Sequence, residues 1–334
     1  MSPAAPPLLE VEDLCVEFRT RRGTIRAVNG LSYTLREGET LALLGESGSG
    51  KSVAAQAVMG LLDTPPAHIT RGAVRLRGDD LLAMSPQRHR GVRGTRLSMI
   101  FQDALTALNP VLSVGDQLAE MYRVHRGMGR KAALARAVAL MDRVRIPAAA
   151  RRVHDYPHQF SGGMRQRVMI AMAIALDPEV VIADEPTTAL DVTVQAQIMR
   201  LLGQLQSETR MGLLLITHDL GVVAEAADRI TVMYAGRTME SASADDLYAR
   251  PGHPYTRGLL DSVPRLDRLG KPLVSIAGAP PLPSSIPSGC AFHPRCPRAE
   301  PRCSSETPPF RRLSPPGHHS ACHFAEEVHR APVG

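Results

Sequence analysis

The chain has 334 residues, of which 44% are hydrophobic, and a formal net charge of +6. This composition excludes an intrinsically disordered protein, and the length is enough for one large domain or two smaller ones. The sequence contains neither a long apolar run nor a basic, apolar leader, so we expect a cytosolic chain without a membrane span or secretory signal. The positive charge permits an acidic partner, but we expect much of it to be a solvated helical face.

The first hundred residues predict strands on both sides of a glycine-rich loop. Alternating apolar residues favour two antiparallel strands, and a short apolar run favours a buried strand directly before the loop, with a helix after it. Prolines Pro65 and Pro66 end that helix. The predicted strands are Leu8–Arg19, Ala27–Leu35, Leu41–Leu44, Ala73–Leu76 and Arg96–Phe101, and the predicted helix is Val53–Leu62.

The middle of the chain predicts a helical insertion followed by alternating helices and strands. Apolar residues at helical spacing cover Asp116–Ile146, and Ser161 is a suitable cap for a new helix. Beyond it, the predicted strands are Val180–Ala183, Leu213–Ile216 and Ile230–Tyr234, and the predicted helices are Val194–Ser207 and Val222–Ala227. The composition then shifts toward Pro, Arg, Cys and His, which predicts a boundary near Gly270.

The loop between Leu44 and Val53 has the spacing G-x-x-x-x-G-K-S, which is typical of a phosphate-binding loop. Its glycines let backbone N–H groups point inward, and the helix N-terminus adds positive potential. Lys51 is expected to contact the β and γ phosphates of a nucleotide, and Ser52 to bind Mg²⁺. The strand, loop and helix context argues against an ordinary Gly/Ser turn. The predicted nucleotide-binding residues are Gly45, Glu46, Ser47, Gly48, Ser49, Gly50, Lys51 and Ser52.

Polar side chains follow three of the predicted strands. Asp184 and Glu185 end one apolar strand, and the carboxyl ends of parallel strands form the ligand crevice of such sheets. We therefore predict that Asp184 holds the Mg²⁺ hydration shell and that Glu185 polarises the water that attacks the γ phosphate. His218 is expected to sense the γ phosphate, and Gln102 to contact the metal or the attacking water. For each of these polar residues, a plain structural role is the alternative.

These motifs, in this order, resemble those of ABC transporter ATPases. The resemblance covers roughly residues 8–250 and implies an α/β P-loop NTPase fold of the RecA-like type. It also implies an antiparallel β-subdomain, a helical subdomain at about 103–160 and a cysteine-containing C-terminal extension. The resulting division is an ABC ATPase domain at 1–270 and the extension at 271–334.

In this family, a Ser-Gly-Gly signature completes the ATP site of a second subunit, so the resemblance implies a head-to-tail dimer with a related or identical chain. A serine that caps a helix N-terminus next to two glycines forms a second anion-binding site in the chain. The phosphate chain of one nucleotide should not need two such sites. The signature residues are Ser161, Gly162 and Gly163, and the resemblance also implies that Gln166 and Asp191 are ATP-binding residues.

The sequence departs from the family pattern at three places. Phe160 stands where leucine is frequent, and Met164 and Arg165 separate Gln166 from the glycines. Ile25 lies nearest to the position of the aromatic residue that often stacks on adenine, so the resemblance implies an apolar contact there.

Further stretches narrow the resemblance to ATPase subunits of oligopeptide and dipeptide importers. These are Phe101–Pro110, Tyr156–Phe160, Gly252–Thr256 and Gly289–Pro297. The resemblance implies two transmembrane permease subunits, an extracytoplasmic solute-binding protein that acts indirectly, and a peripheral position on the cytoplasmic side of the inner membrane. It does not imply which solute is carried. The alternatives are a soluble ABC ATPase in nucleic-acid, ribosome or cluster-assembly processes, and a same-family importer of a non-peptide solute; we expect no nucleic-acid partner.

Four of the five cysteines lie in the last 45 residues, at Cys290, Cys296, Cys303 and Cys322. In a cytosolic chain such clustering indicates a metal before a disulfide. Four thiolates can bind an iron–sulfur cluster or Zn²⁺. The family resemblance ranks a 4Fe-4S cluster first and Zn²⁺ second, and a metal-free tail with buried thiols stays open as well.

Overall fold

The computed structural model describes residues 6–21, 23–263, 275–314 and 316–331. The described chain falls into two compact units that each combine several segments. The first unit contains the described parts of residues 1–8, 36–39 and 83–215, and the second those of residues 9–35, 40–82 and 216–334. The predicted boundary at Gly270 lies outside the described residues.

The strands, in chain order, are β1 Leu9–Thr20, β2 Gly23–Leu35, β3 Thr40–Leu44, β4 Ala67–Leu76, β5 Asp79–Asp80, β6 Leu97–Ile100, β7 Val180–Asp184, β8 Gly212–Thr217, β9 Arg229–Tyr234, β10 Arg237–Ser243, β11 Arg311–Arg312 and β12 His319–Ser320. The five central strands β3, β6, β7, β8 and β9 are buried along almost their whole length. Burial on both faces explains why these strands are mostly apolar in the sequence, with Ser98 in β6 and Thr231 in β9 as buried polar exceptions.

The helices are α1 Lys51–Met59, α2 Pro86–Val92, α3 Ala104–Ala107, α4 Val114–Arg126, α5 Arg130–Arg143, α6 Ala149–Arg152, α7 Gly162–Ile174, α8 Val192–Thr209, α9 Leu220–Ala226, α10 Ala244–Ala249, α11 Pro254–Asp261, α12 Pro301–Ser305 and α13 Ala325–Arg330. Several helices begin after a residue whose side chain caps the N-terminus; Ser113 caps α4 and Asp191 caps α8 in this way. None of the helices in the described ranges combines the length and the apolar character that a membrane crossing requires.

The second unit contains an antiparallel sheet and a mixed one. The antiparallel sheet has the order β2-β1-β4-β5, and β1 pairs with β2 from Leu9 opposite Leu35 to Thr20 opposite Gly23. In the mixed sheet, β3 pairs in parallel with β9, and β10, β12 and β11 continue the sheet in antiparallel pairs. The C-terminal tail therefore extends the sheet that carries β3.

The first unit holds most of the helices and the parallel strands β7 and β6. These two strands pair from Leu97 opposite Val180 to Ile100 opposite Ala183. Helices α4 and α5 lie next to each other, as expected for the predicted helical insertion. Gly115 on α4 allows a close approach, because a Cβ there would lie 2.4 Å from the Val153 carbonyl oxygen.

The predicted elements are present, with shifts at their ends. Strand β4 begins at Ala67, six residues before the predicted start at Ala73, because Ala67 to Arg71 pair with β1 in spite of their irregular hydrophobic pattern. Helix α1 begins at Lys51 and stops at Gly60, whose left-handed conformation ends it before Leu62. These differences leave the predicted α/β class unchanged.

Candidate functional site

The glycine-rich loop connects the buried strand β3 to helix α1, as the sequence predicted. Gly50 has φ +99° and caps α1, a conformation that side chains rarely adopt. A Cβ on Gly50 would also lie 2.2 Å from the Ala27 carbonyl oxygen. The loop therefore packs closely against β2 at Gly50, and only glycine fits at this position.

Lys51 is only 5% exposed, and its amine forms hydrogen bonds with the backbone of the loop. The Nζ atom donates to the carbonyl oxygen of Gly45 at 2.7 Å and to that of Glu46 at 3.0 Å. The Ser49 hydroxyl lies 3.4 Å away. A buried ammonium at the N-terminus of a nine-residue helix is a preformed anion site. These residues fit a polyphosphate chain.

Two residues that follow the stretch 8–250, Tyr255 and Arg295, contact the same loop. The N–H of Glu46 donates to the Tyr255 hydroxyl at 3.0 Å, and the Glu46 carboxylate is bound by Arg295. Both residues lie in stretches that resemble the peptide-importer family, Gly252–Thr256 and Gly289–Pro297, but the resemblance implied no role for either side chain. The sequence did contain one indication of this contact. Glu46 places a negative charge inside a phosphate-binding loop, and such a charge is stabilised by a nearby cation.

In the first unit, Asp184 and Glu185 stand at the end of β7. Asp184 is 4% exposed, and Glu185 has a left-handed φ of +46° that turns the chain sharply after the strand. The Glu185 Oε2 atom accepts a hydrogen bond from Gln102 Nε2 at 3.0 Å and one from the Thr188 hydroxyl at 2.9 Å. The structure thus brings the predicted Gln102 and Glu185 together and adds Thr188, which the sequence analysis missed.

The predicted signature forms a second pocket in the first unit. Ser161 caps α7, with its hydroxyl 3.4 Å from the Met164 N–H. Asp191 caps α8 by accepting from the Val194 N–H at 3.0 Å. The pocket between the two helix starts is lined by Ser161, Gly162, Gly163, Met164, Arg167, Ala189, Leu190, Asp191, Val194 and Gln197.

Helix packing requires a glycine at position 163, independently of any ligand contact. A Cβ on Gly163 would lie 2.7 Å from Val194 Cγ1, so glycine allows α7 and α8 to approach closely. Gln166 is 5% exposed within α7 and does not line the pocket. Ser161, Gly162, Gly163 and Asp191 therefore line one pocket, whereas Gln166 is buried about one turn further along α7.

His218 and Ile25 belong to the second unit. His218 is exposed directly after β8, and the following Asp219 caps α9 by accepting from the Gly221 N–H at 2.8 Å. Ile25 lies half-buried on β2. Their predicted contacts with the γ phosphate and with adenine stay predictions.

The four tail cysteines line one small, largely apolar cavity, together with Phe292. Burial raises the pKa of the Cys290 and Cys296 thiols, and it raises the pKa of Cys322 to about 12. Across the ranges that the structure describes, however, no three His, Cys, Asp or Glu side chains are arranged to hold a metal ion. The thiols share a cavity and do not form a ligand set in this conformation.

Comparisons with known proteins agree with this geometry. Residues 28–188 match the ABC transporter family model. The chain is 52% identical over 290 residues to the dipeptide transport ATP-binding protein DppD of Bacillus subtilis, covering 87% of each chain. The chain belongs to the ABC transporter family. It is an ABC-type ATPase that uses ATP and Mg²⁺, as the motifs predicted.

Other matches extend the likeness of this ABC ATPase. It is 51% identical to the oligopeptide transport ATP-binding protein OppD of Salmonella typhimurium, over 94% of this chain and 93% of that one. Residues 239–303 match the family model of the oligopeptide/dipeptide transporter, C-terminal region. The solved dimeric ATP-binding cassette MJ0796, bound to ADP and Pi, has a TM-score of 0.64 and 26% identity, over 71% of this chain and 98% of that one.

Proposed function

We propose that this ABC ATPase powers the uptake of dipeptides or oligopeptides through partner membrane permeases. The observation that carries the proposal is sequence similarity. Over most of its length, the chain is 52% and 51% identical to two peptide-transport ATP-binding proteins. The match of residues 239–303 to a C-terminal region of oligopeptide/dipeptide transporters supports the same substrate class.

In this proposal the chain's own residues divide the work of hydrolysis. Lys51 and the backbone of the phosphate loop bind the β and γ phosphates, and Ser52 and Asp184 would hold Mg²⁺, which would supply positive charge to the transferred phosphoryl group. Glu185 accepts a proton from the attacking water, while Gln102 keeps the carboxylate in place. His218 contacts the γ phosphate and responds to its loss.

We propose that the second pocket, at Ser161 and Asp191, completes the ATP site of another ATPase chain. Its two helix starts point N–H groups into one pocket, which suits a phosphate. The dimeric structures of MJ0796 support a pair of cassettes, for which we propose a head-to-tail arrangement. The partner in this proposal is an identical or a related chain.

Apolar side chains on the first unit support a protein partner. Six large ones are exposed in and beside its helical part, with Val111 reaching 76% exposure; the others are Phe101, Leu105, Leu112, Val124 and Tyr156. Exposed apolar side chains of this size mark interaction surfaces when they cluster. We propose that these side chains contact the permease subunits on the cytoplasmic side of the inner membrane, with an extracytoplasmic solute-binding protein acting through the permeases.

The experiment is peptide uptake in cells that lack the chromosomal gene. Restoring the wild-type gene should restore accumulation of a labelled dipeptide or pentapeptide, and a Glu185→Gln gene should not. Tagged protein should copurify with two membrane proteins and a second ATPase. Normal peptide uptake in the deletion strain, or copurification with ribosomes or DNA alone, would contradict the proposal and favour a soluble ABC ATPase.

For the tail, we propose a 4Fe-4S cluster as the ligand of Cys290, Cys296, Cys303 and Cys322, with Zn²⁺ as the second candidate. The shared cavity supports this, and the thiols must turn toward a common centre to bind either metal. Iron, sulfide and zinc measured after anaerobic purification test the proposal. If the protein contained neither metal in stoichiometric amount, the tail would be metal-free. The cysteines would then serve as small apolar side chains that fill the cavity.

A further inference from the structure

We propose that Arg295 of the C-terminal tail is a positioning residue for ATP binding, because it neutralises and holds Glu46 inside the phosphate loop. Glu46 is the second residue of the loop, and its side chain is 26% exposed. A carboxylate at this place opposes a polyphosphate unless its charge is cancelled, since like charges at short range repel. The inference rests on the family's ATP binding and not on the transported solute.

The contact between the two side chains is bidentate. Arg295 Nη1 donates to Glu46 Oε2 at 2.6 Å, and Nη2 donates to Oε1 at 3.1 Å. The Arg295 side chain is only 6% exposed, so bulk water screens the pair weakly. The hydrogen bonds to Glu46 raise the pKa of Arg295 above its usual value. A planar guanidinium fits this geometry, and a lysine ammonium does not.

Arg295 is fixed by other parts of the second unit. Its Nε donates to the Ala277 carbonyl oxygen at 3.0 Å, and Nη1 lies 3.3 Å from the Tyr234 hydroxyl. The guanidinium also lies over the rings of Tyr234 and Phe292, at 5.8 and 6.0 Å from their centroids. Cation–π contacts and hydrogen bonds of this kind hold the group in one orientation. Arg295 is therefore prearranged before ATP arrives.

Glu46 connects Arg295 to the phosphate-binding lysine. The Glu46 carbonyl oxygen accepts from Lys51 Nζ at 3.0 Å, and its N–H is held by the Tyr255 hydroxyl at 3.0 Å. A shift of Glu46 thus changes the surroundings of the Lys51 amine directly. The chain of contacts runs from Arg295 through Glu46 to Lys51, entirely within the second unit.

Arg295 also sits next to the cysteine cavity. It ends the short turn His293–Arg295, whose first N–H donates to the Cys290 carbonyl oxygen at 2.9 Å. The N–H of Cys296, the next residue, donates to the His293 carbonyl oxygen at 3.2 Å. The turn that carries Arg295 is thus framed by two of the cavity cysteines.

The test compares Mg-ATP affinity in the full-length chain and four variants, measured by calorimetry or with a fluorescent ATP analogue. Arg295→Ala should weaken binding about tenfold, because it leaves an unpaired carboxylate beside the phosphates. Arg295→Lys should lie between this variant and wild type. Glu46→Gln combined with Arg295→Ala should recover affinity to within about threefold of wild type, since the repelling charge is gone. Arg311→Ala, an exposed tail arginine, is the matched control and should bind normally.

Thermal unfolding without ATP, measured on every variant, separates this role from a merely structural one. Raising the salt concentration should narrow the difference in affinity between Arg295→Ala and wild type, because salt screens repulsion. Two results would overturn the inference: Arg295→Ala binding Mg-ATP like wild type, or the double variant binding as weakly as Arg295→Ala alone. Because the readout is binding, failure of the peptide-import proposal would leave this test unaffected.

Discussion

Glu185 receives hydrogen bonds from two directions, from Gln102 Nε2 at 3.0 Å and from the Thr188 hydroxyl at 2.9 Å, both at Oε2. Both donors belong to the first unit, as Glu185 does. Glu185, with a left-handed φ of +46°, follows the strand and is half-buried, whereas Asp184 is its buried last residue. Neighbouring acids in one sequence motif therefore have different surroundings, which suits the two different roles proposed for them.

Glu185→Gln should keep ATP binding and reduce the ATPase turnover by at least about 100-fold. The amide resembles the carboxylate in shape and cannot accept the proton of the attacking water, and general bases contribute about 100-fold to 10,000-fold. The ATPase rate of the assembled complex and the nucleotide affinity of the variant decide the point.

The control for this substitution is Glu225→Gln, since Glu225 is an exposed acid on α9. Its rate should equal that of wild type. A Glu185→Gln variant with nearly normal turnover would remove Glu185 from the role of base.

Thr188→Val should lower turnover by less than Glu185→Gln does, with ATP affinity unchanged. Valine is similar in size and lacks the hydroxyl, so Glu185 loses one of the two donors that orient it. Thr188→Ser keeps the donor and should be close to wild type. Steady-state kinetics of the three proteins provide the comparison, and equal rates for the valine and serine variants would show that the hydroxyl does not matter.

Most residues of the proposed nucleotide site could be predicted from the sequence because they occur in contiguous motifs. The phosphate loop, the acids after β7 and the serine cap of α7 each occupy a few neighbouring residues whose local conformation follows from glycine, burial and capping. The pair of Glu46 and Arg295 is separated by 249 positions, so no local pattern links its members. The contact exists because tail residue Phe292 packs with Tyr234 and Tyr255 beside the loop.

The same reason explains the missed elements after Tyr234. Strand β10 contains Arg237, Thr238 and Glu240 and has no clean alternation of apolar residues, so it did not stand out as a strand. It forms because β9 and the tail strand β12 pair with its two edges. Tertiary pairing of this kind overrides local propensity.

Glu240 should anchor the tail, and Glu240→Ala should lower the free energy of unfolding by about 3 kcal/mol or more. The side chain is fully buried and accepts from the N–H groups of Gly252 and His253, and His318 Nε2 lies 2.6 Å from it. Removing the acceptor leaves buried donors without a partner, at about 1–3 kcal/mol each. Urea unfolding gives the value.

Two further variants make the measurement of Glu240 specific. Glu240→Gln keeps one carbonyl acceptor and should be destabilised less than the alanine variant. Glu326→Ala removes an exposed acid on α13 that pairs with Arg330 and should change stability by less than about 1 kcal/mol. If Glu240→Ala were as stable as Glu326→Ala, the tail would not depend on this buried network.

His253 should make the second unit sensitive to acid. It is 1% exposed and caps α11, with Nδ1 accepting from the Tyr255 N–H at 3.0 Å. Burial lowers the pKa of His253 to about 3, whereas an unfolded histidine has a pKa of about 6.5. Between these values the unfolded chain binds a proton that the folded chain does not. The stability contribution is therefore complete above pH 6.5 and is lost progressively as the pH falls toward 3.

His253→Asn should reduce this acid sensitivity, because asparagine keeps a capping oxygen and does not titrate. Urea unfolding at pH 7.5, 6.5, 5.5 and 4.5 measures the difference. Relative to the variant, wild type should lose up to about 1.4 kcal/mol per pH unit below pH 6.5, or about 2.7 kcal/mol by pH 4.5. His154→Asn, at an exposed histidine, should follow the wild-type curve. Parallel curves for wild type and His253→Asn would mean that His253 is protonated equally in the folded and unfolded chains.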